Sequence, residues 1–250
     1  MPAIDLANPT RFLGLVNRLL PWLAGLTLLA FALGFTQVVN APDDYQQGAT
    51  VKIMFIHVPS AWLGMFGWLA MSIAALGTLV WRHPLADVAG KATAPIGAAF
   101  TFLCLVTGAL WGRPMWGAYW VWDARLTSML VLLLLYLGVI ALYVTAEDPG
   151  RGARAAAILT LVGAVNLPII KFSVDWWNTL HQPASVFRFS GPTIDVSLLL
   201  PLLIMAIAFF LLFAALQLAA MRNEILRRRV RTMRIMQAQE QTRELAGAQS

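Results

Sequence analysis

The chain has 250 residues, of which 59% are hydrophobic and 12% charged, and its mean hydropathy is +0.71. Soluble domains carry roughly 25% charged residues, so a single water-facing globule is excluded and a polytopic membrane protein is indicated. The net charge of +6 comes largely from a basic stretch after Met221, which suits anionic lipid or a cytoplasmic partner rather than nucleic acid.

In chain order, residues 1–20 read as a short interfacial segment, with Arg11 and Arg18 beside Phe12, Leu15 and Leu19. Six apolar stretches suited to crossing a bilayer follow, at about 19–39, 60–81, 94–111, 128–145, 156–173 and 195–219. The first is longer than the apolar region of a signal peptide, and no small-x-small cleavage site follows before Pro42, so it is expected to be retained. The fifth is short and interrupted by Asn166 and Pro168, which predicts a kink, either an ordinary packing feature or one that lines a site. Residues 220–250 continue the sixth stretch as a basic amphipathic helix on the cytoplasmic surface. Its apolar residues are Leu218, Met221, Ile225, Met233 and Met236, beside Arg227, Arg228, Arg229, Arg231 and Arg234. The expected fold is all-α, with six transmembrane helices in a membrane domain of residues 21–219. Thirteen Lys and Arg fall on the side of the termini and five on the other, so the positive-inside rule places both termini in the cytoplasm.

The loops on the opposite face, about 40–59, 112–127 and 174–194, hold the unusual residues. Between Trp111 and Thr127 the chain gathers Trp111, Trp116, Trp120, Trp122 and Tyr119 with Asp123, Arg113 and Arg125. Trp and Tyr collect at membrane interfaces in any case, but a belt needs neither this density nor embedded charges. A large flat ligand with an anionic edge needs both, rings for its plane and guanidinium forks for its carboxylates. Porphyrin is such a ligand. A helix over 116–123 would put Trp116, Tyr119, Trp120 and Asp123 on one face and turn Trp122 away. A carboxylate at the membrane edge is costly unless paired or solvated, so Asp123 either orients a histidine or pairs with Arg125. Arg125, Arg113 and Arg188, in that order, are candidates for contact with an anionic edge.

His57, at the mouth of the second span, and His181, just beyond the fifth, share this face; His83 falls on the other. Two neutral imidazoles converging on an aromatic platform can ligate a haem iron axially. The alternative is an interfacial histidine bonded to a backbone carbonyl in each case. Trp176 and Trp177 precede His181 closely and form either a further wall or the aromatic belt of the fifth span. Cys104 is the only cysteine, so there is no disulfide and no Cys-x-x-Cys-His for covalent haem attachment. A phosphate-binding Gly-x-x-x-x-Gly-Lys loop is also missing, so any ATP hydrolysis belongs to a partner.

The segment Trp111–Thr127 resembles the tryptophan-rich "WWD" signature of haem-handling membrane proteins. With Ile-Met-Phe-Ile-His-Val-Pro-Ser-Ala-Trp around His57 and Trp-Trp-Asn-Thr-Leu-His-Gln around His181, the chain resembles the cytochrome c maturation protein C (haem exporter protein C) family from about Pro21 to Leu218. The resemblance implies a non-catalytic protein of the bacterial inner membrane that binds haem b non-covalently at the periplasmic face. His57 and His181 would be the axial ligands, and the tryptophan-rich segment would present the haem to a periplasmic haem chaperone, which binds it covalently. The resemblance further implies an ABC-type complex with an ATP-binding subunit, a second membrane subunit and a small single-span protein, in which ATP hydrolysis drives release of the loaded chaperone. The family often has Trp where this chain has Tyr119, a change that keeps a π-face for stacking. Among rival readings, a b-type electron-transfer cytochrome needs mid-membrane histidines, which the spans do not carry. A small-molecule permease would leave the outer histidines incidental. Export of haem across the bilayer is compatible with the residues, though no span offers an evident polar path for a dianionic porphyrin.

Overall fold

With no water in the hydrocarbon layer, every backbone N–H and C=O must be satisfied within its own segment, and long apolar runs therefore become helices. The computed structural model describes residues 8–183, 185–188 and 190–248. Within them lie α1 (Pro9–Asn40), a 3-10 helix η1 (Ala49–Ile53), α2 (Met54–Leu79), α3 (Pro84–Trp116), α4 (Ala124–Thr145), α5 (Pro149–Gly163), α6 (Asn166–Trp176) and α7 (Val196–Ala248). Taking α5 and α6 as one broken span, six segments are long and apolar enough to cross a membrane, and the all-α expectation holds. Polar side chains start four of the helices. Asn8, Asp123 and Asp148 cap α1, α4 and α5, while His83 Nδ1 accepts the Leu85 N–H and caps α3, which gives His83 a purely local role.

The first and last helices run well beyond their apolar stretches. Helix α1 runs unbroken from Pro9 through Pro21, so residues 9–20 are the first turns of the span helix rather than a separate element; residues 1–7 lie outside the described residues. Helix α7 is equally continuous past Ala220, and nothing between Leu202 and Ala246 is Gly or Pro to break it. The basic tail therefore continues the sixth span as one helix, as its sequence leads one to expect. The expected kink of the fifth span is present. Pro168 has no N–H to offer the Ala164 carbonyl, and the helix breaks at residues 164–165. The side chain of Asn166 then donates to the Ser128 carbonyl of α4 at 2.9 Å, so the kink is tied into helix packing.

Helices α2 and α3 form the centre. α2 packs on α3, α5 and α7, α3 also meets α4, and α1 lies outside against α7. Lipid tails are as apolar as Leu, so close packing and buried hydrogen bonds must hold such a bundle together. Tyr136 of α4 donates its hydroxyl to the Gly64 carbonyl of α2 at 2.8 Å and fills the space beside Gly97, where any Cβ would overlap its ring. Trp68, fully buried, donates Nε1–H to the Thr160 carbonyl at 3.1 Å and meets Tyr136 edge to face. Beside the tail, Glu224 accepts from Arg227 and Arg228 and pairs with Lys91 at 3.2 Å, while Arg228 also reaches Asp87. This network joins α3 to α7 beneath an apolar cluster that includes Leu13, Leu85, Val88, Met221 and Ile225.

Candidate functional site

His57 lies inside α2, one turn from its start, rather than in the loop expected for it. Pro59 does not stop the helix there, because only the Phe55 carbonyl loses a donor. The imidazole lies across α3, with Nδ1 3.0 Å from the Cys104 carbonyl oxygen and 3.1 Å from Thr107 Oγ1. Trp111 stands edge-on to it, ring centroids 5.6 Å apart, and donates its own Nε1–H to Gln47 Oε1 at 3.0 Å. That bond ties the loop before η1 to the end of α3.

His181 belongs to the loop between α6 and α7. Its Nδ1 is 3.2 Å from Asp123 Oδ2, while Asp123 Oδ1 accepts the Leu126 N–H at 2.7 Å and so caps α4. One carboxylate thus starts a helix and orients a histidine. Trp116, the last residue of α3, stands edge-on to the same ring at 4.8 Å. Of the two roles open to Asp123, the geometry takes the first: Arg125 points elsewhere, donating to Ser173 Oγ at 3.1 Å and to the Ile170 and Lys171 carbonyls at 3.4 Å. Burial lowers the His181 pKa from its ordinary value, and the Asp123 hydrogen bond and charge oppose that shift. The ring is therefore neutral at pH 7. Each imidazole thus stands beside a tryptophan near the same end of α3, His57 beside Trp111 and His181 beside Trp116.

A helix over 116–123 is not what forms. Gly117 takes φ +76°, the left-handed conformation that glycine adopts without a steric cost, and ends α3 there. Residues 117–123 are non-helical, so the expected stripe does not exist as such. Trp122 is not turned away from Trp120 but meets it edge-on at 5.4 Å, and it is 75% exposed. Tyr119 is also exposed and lies beneath the Arg113 guanidinium at 5.6 Å; Arg113 also donates to the Gly117 carbonyl. The indole Nε1 of Trp120 is buried without a partner, an unsatisfied donor within the tryptophan-rich segment. Trp176 stacks on Phe172 and meets Trp177, both half exposed, in the manner of an interfacial belt. Arg188 is exposed. Its loop is anchored nearby where Phe187 packs on Trp62 of α2 at 4.9 Å.

In each of the two imidazoles Nδ1 faces an acceptor, so Nδ1 carries the proton and Nε2 keeps a free lone pair. This is the arrangement found in metal-ligating histidines, whose far nitrogen is held by a carbonyl or carboxylate. Among the described residues no group of three or more His, Cys, Asp and Glu could hold a metal ion. Two lone histidines suit a metal whose remaining ligands come with it. Sequence reasoning missed Gln47, Ser173, Thr107 and Gly108. The first two carry no signal, while the last two share a helical face with Cys104 and Trp111 and were in principle visible.

Residues 3–236 match the family model described as Heme exporter protein C. The chain is 73% identical to Heme exporter protein C of Bradyrhizobium diazoefficiens over 95% of its own length and 90% of that relative. It is 49% identical to Heme exporter protein C of Escherichia coli K12 (89% of this chain, 90% of the relative) and 48% identical to that of Haemophilus influenzae (88% and 90%). With six spans and these bacterial relatives, it is a multi-pass protein of the bacterial inner membrane. The motif order, the helical architecture and the whole-chain similarity agree: the chain belongs to the Heme exporter protein C family.

Proposed function

We propose that this protein handles haem for c-type cytochrome assembly, holding haem b non-covalently at the periplasmic face between Nε2 of His57 and Nε2 of His181. The observation that carries this reading is the matched state of the two imidazoles, each with Nδ1 against an acceptor, which leaves Nε2 as the unprotonated nitrogen. Both termini are then cytoplasmic. Trp111 and Trp116 wall the two ligands, and the exposed rings of Tyr119 and Trp122 supply apolar surface for a flat cargo. Arg113 and Arg188, near the surface, suit the carboxylate edge better than Arg125, whose guanidinium is engaged by α6.

A platform this exposed favours handoff over storage, and the recipient is a periplasmic haem chaperone. The protein works beside an ATP-binding subunit, a second membrane subunit and a small single-span subunit, and hydrolysis drives release of the loaded chaperone. The arginines of the tail face anionic lipid where α7 leaves the membrane. The test is a visible absorption spectrum, oxidised and reduced, of protein purified with its membrane partners. The His57→Ala/His181→Ala double variant is expected to lose or alter the haem signal; a normal spectrum in that variant removes the ligand assignment. Wild-type protein that stays haem-free when haem is supplied would favour a permease instead.

A further inference from the structure

We propose that Thr107 and Gly108 of α3 are positioning residues that fix the tautomer and direction of His57, leaving only Nε2 to meet an iron; this rests on the ligand reading above. Thr107 Oγ1 is 2.7 Å from the Leu103 carbonyl oxygen and 3.2 Å from that of Cys104, so its proton goes to the helix backbone. What Oγ1 turns towards His57 Nδ1, 3.1 Å away, is a lone pair. The Cys104 carbonyl, 3.0 Å from the same nitrogen, is likewise only an acceptor. Two acceptors at one ring nitrogen require it to bear the proton, because the other tautomer would set three lone pairs against one another. Nε2 is then unprotonated before any cargo arrives.

Gly108 supplies the space for this arrangement. A Cβ at residue 108 would stand 2.9 Å from His57 Cε1 and 3.4 Å from Nδ1, closer than a rigid ring tolerates. Cys104, Thr107, Gly108 and Trp111 recur at the helical period and share one side of α3. That side is a socket for a single imidazole, made of two acceptors, a gap and an aromatic wall.

The experiment uses the full chain in lipid nanodiscs with 15N-labelled histidine. The chain has only three histidines, so the His57 resonances can be assigned by comparison with His57→Ala. Wild type is expected to show His57 as the Nδ1–H tautomer without haem. Thr107→Val leaves the Cys104 carbonyl as the remaining acceptor, so a minor fraction of the other tautomer should become detectable and haemin binding weaken about fivefold, the weight of one neutral hydrogen bond. Thr107→Ser should restore both readouts. Gly108→Ala should weaken haemin binding by about 10–100-fold, as loss of an orienting contact does at metal sites. Gly25→Ala, at a position with nothing within 4 Å, should leave it unchanged. If His57→Ala binds haemin like wild type, the ligand reading itself fails. If His57→Ala weakens binding while Thr107→Val keeps wild-type affinity and a pure Nδ1–H tautomer, the socket inference alone is overturned. The valine and serine variants decide the matter even where Gly108→Ala does not fold.

Discussion

The two membrane ends of this bundle are built on opposite principles. At the tail end, Glu224 is nearly buried and its carboxylate is occupied by Arg227, Arg228 and Lys91, with Asp87 taking a further contact from Arg228. At the histidine end, rings stand half exposed, an indole N–H goes unpaired and the one buried carboxylate serves a histidine. The first end pairs the Glu224 carboxylate with three cations and joins α3 to α7, with one buried oxygen of Asp87 left over. The second leaves aromatic faces exposed, and the proposed function gives them and the two imidazoles a ligand to receive.

The comparison breaks if a change at one end is felt at the other. Asp123→Ala should have the largest effect, because one side chain has two duties. Loss of the α4 cap should cost about 1 kcal/mol of stability, and loss of the His181 acceptor should weaken haem binding by about 10–100-fold. Thermal unfolding and haemin titration measure the two losses separately. Glu224→Ala comes next, stranding cations that are themselves partly exposed, and should cost about 1–3 kcal/mol of stability. Haemin affinity should stay within about twofold of wild type, the scatter expected of distant, independent sites. A Glu224 variant that lost haem as Asp123→Ala does would show that the ends are not independent.

The same contrast separates what was legible in the sequence from what was not. Apolar run length disclosed the six spans, and Pro168 disclosed the break in the fifth, because both act within one segment. Density of Trp around Asp123 drew attention to the end of the bundle where His57 and His181 stand beside Trp111 and Trp116. Residues 116–123 fit a helical period without forming a helix, since periodicity cannot register that Gly117 adopts a positive φ. His57 belongs to a helix and not to the 40–59 loop, because a proline as near a helix start as Pro59 costs one carbonyl its donor and does not end the helix. The Glu224 network was invisible for a different reason. Its partner Lys91 and the Asp87–Arg228 contact lie more than a hundred residues apart in sequence, and single-chain patterns carry no information about such pairs.

The smallest expected effect gives the sharpest view of the histidine end. Asp123→Asn retains an oxygen for the Leu126 N–H, and Asn caps helices as well as Asp does, so stability should stay within about 0.5 kcal/mol of wild type. Its neutral oxygen orients His181 less firmly, and haemin affinity should fall by less than in Asp123→Ala. The pH dependence distinguishes orientation from protonation. Burial holds the His181 pKa below the usual value near 6.5, so its neutral form, and the stability linked to it, is fully present above that pH. That stability is lost as pH falls through the folded-state value. The Asp123 carboxylate pushes the pKa upward against burial; removing its charge lowers the pKa further. Asp123→Asn should therefore bind haemin less tightly at pH 7 yet hold its remaining affinity to a lower pH than wild type, as titrations at successive pH values would show. An acid limb moved upward instead would mean that the carboxylate does not act on His181 as the 3.2 Å contact requires.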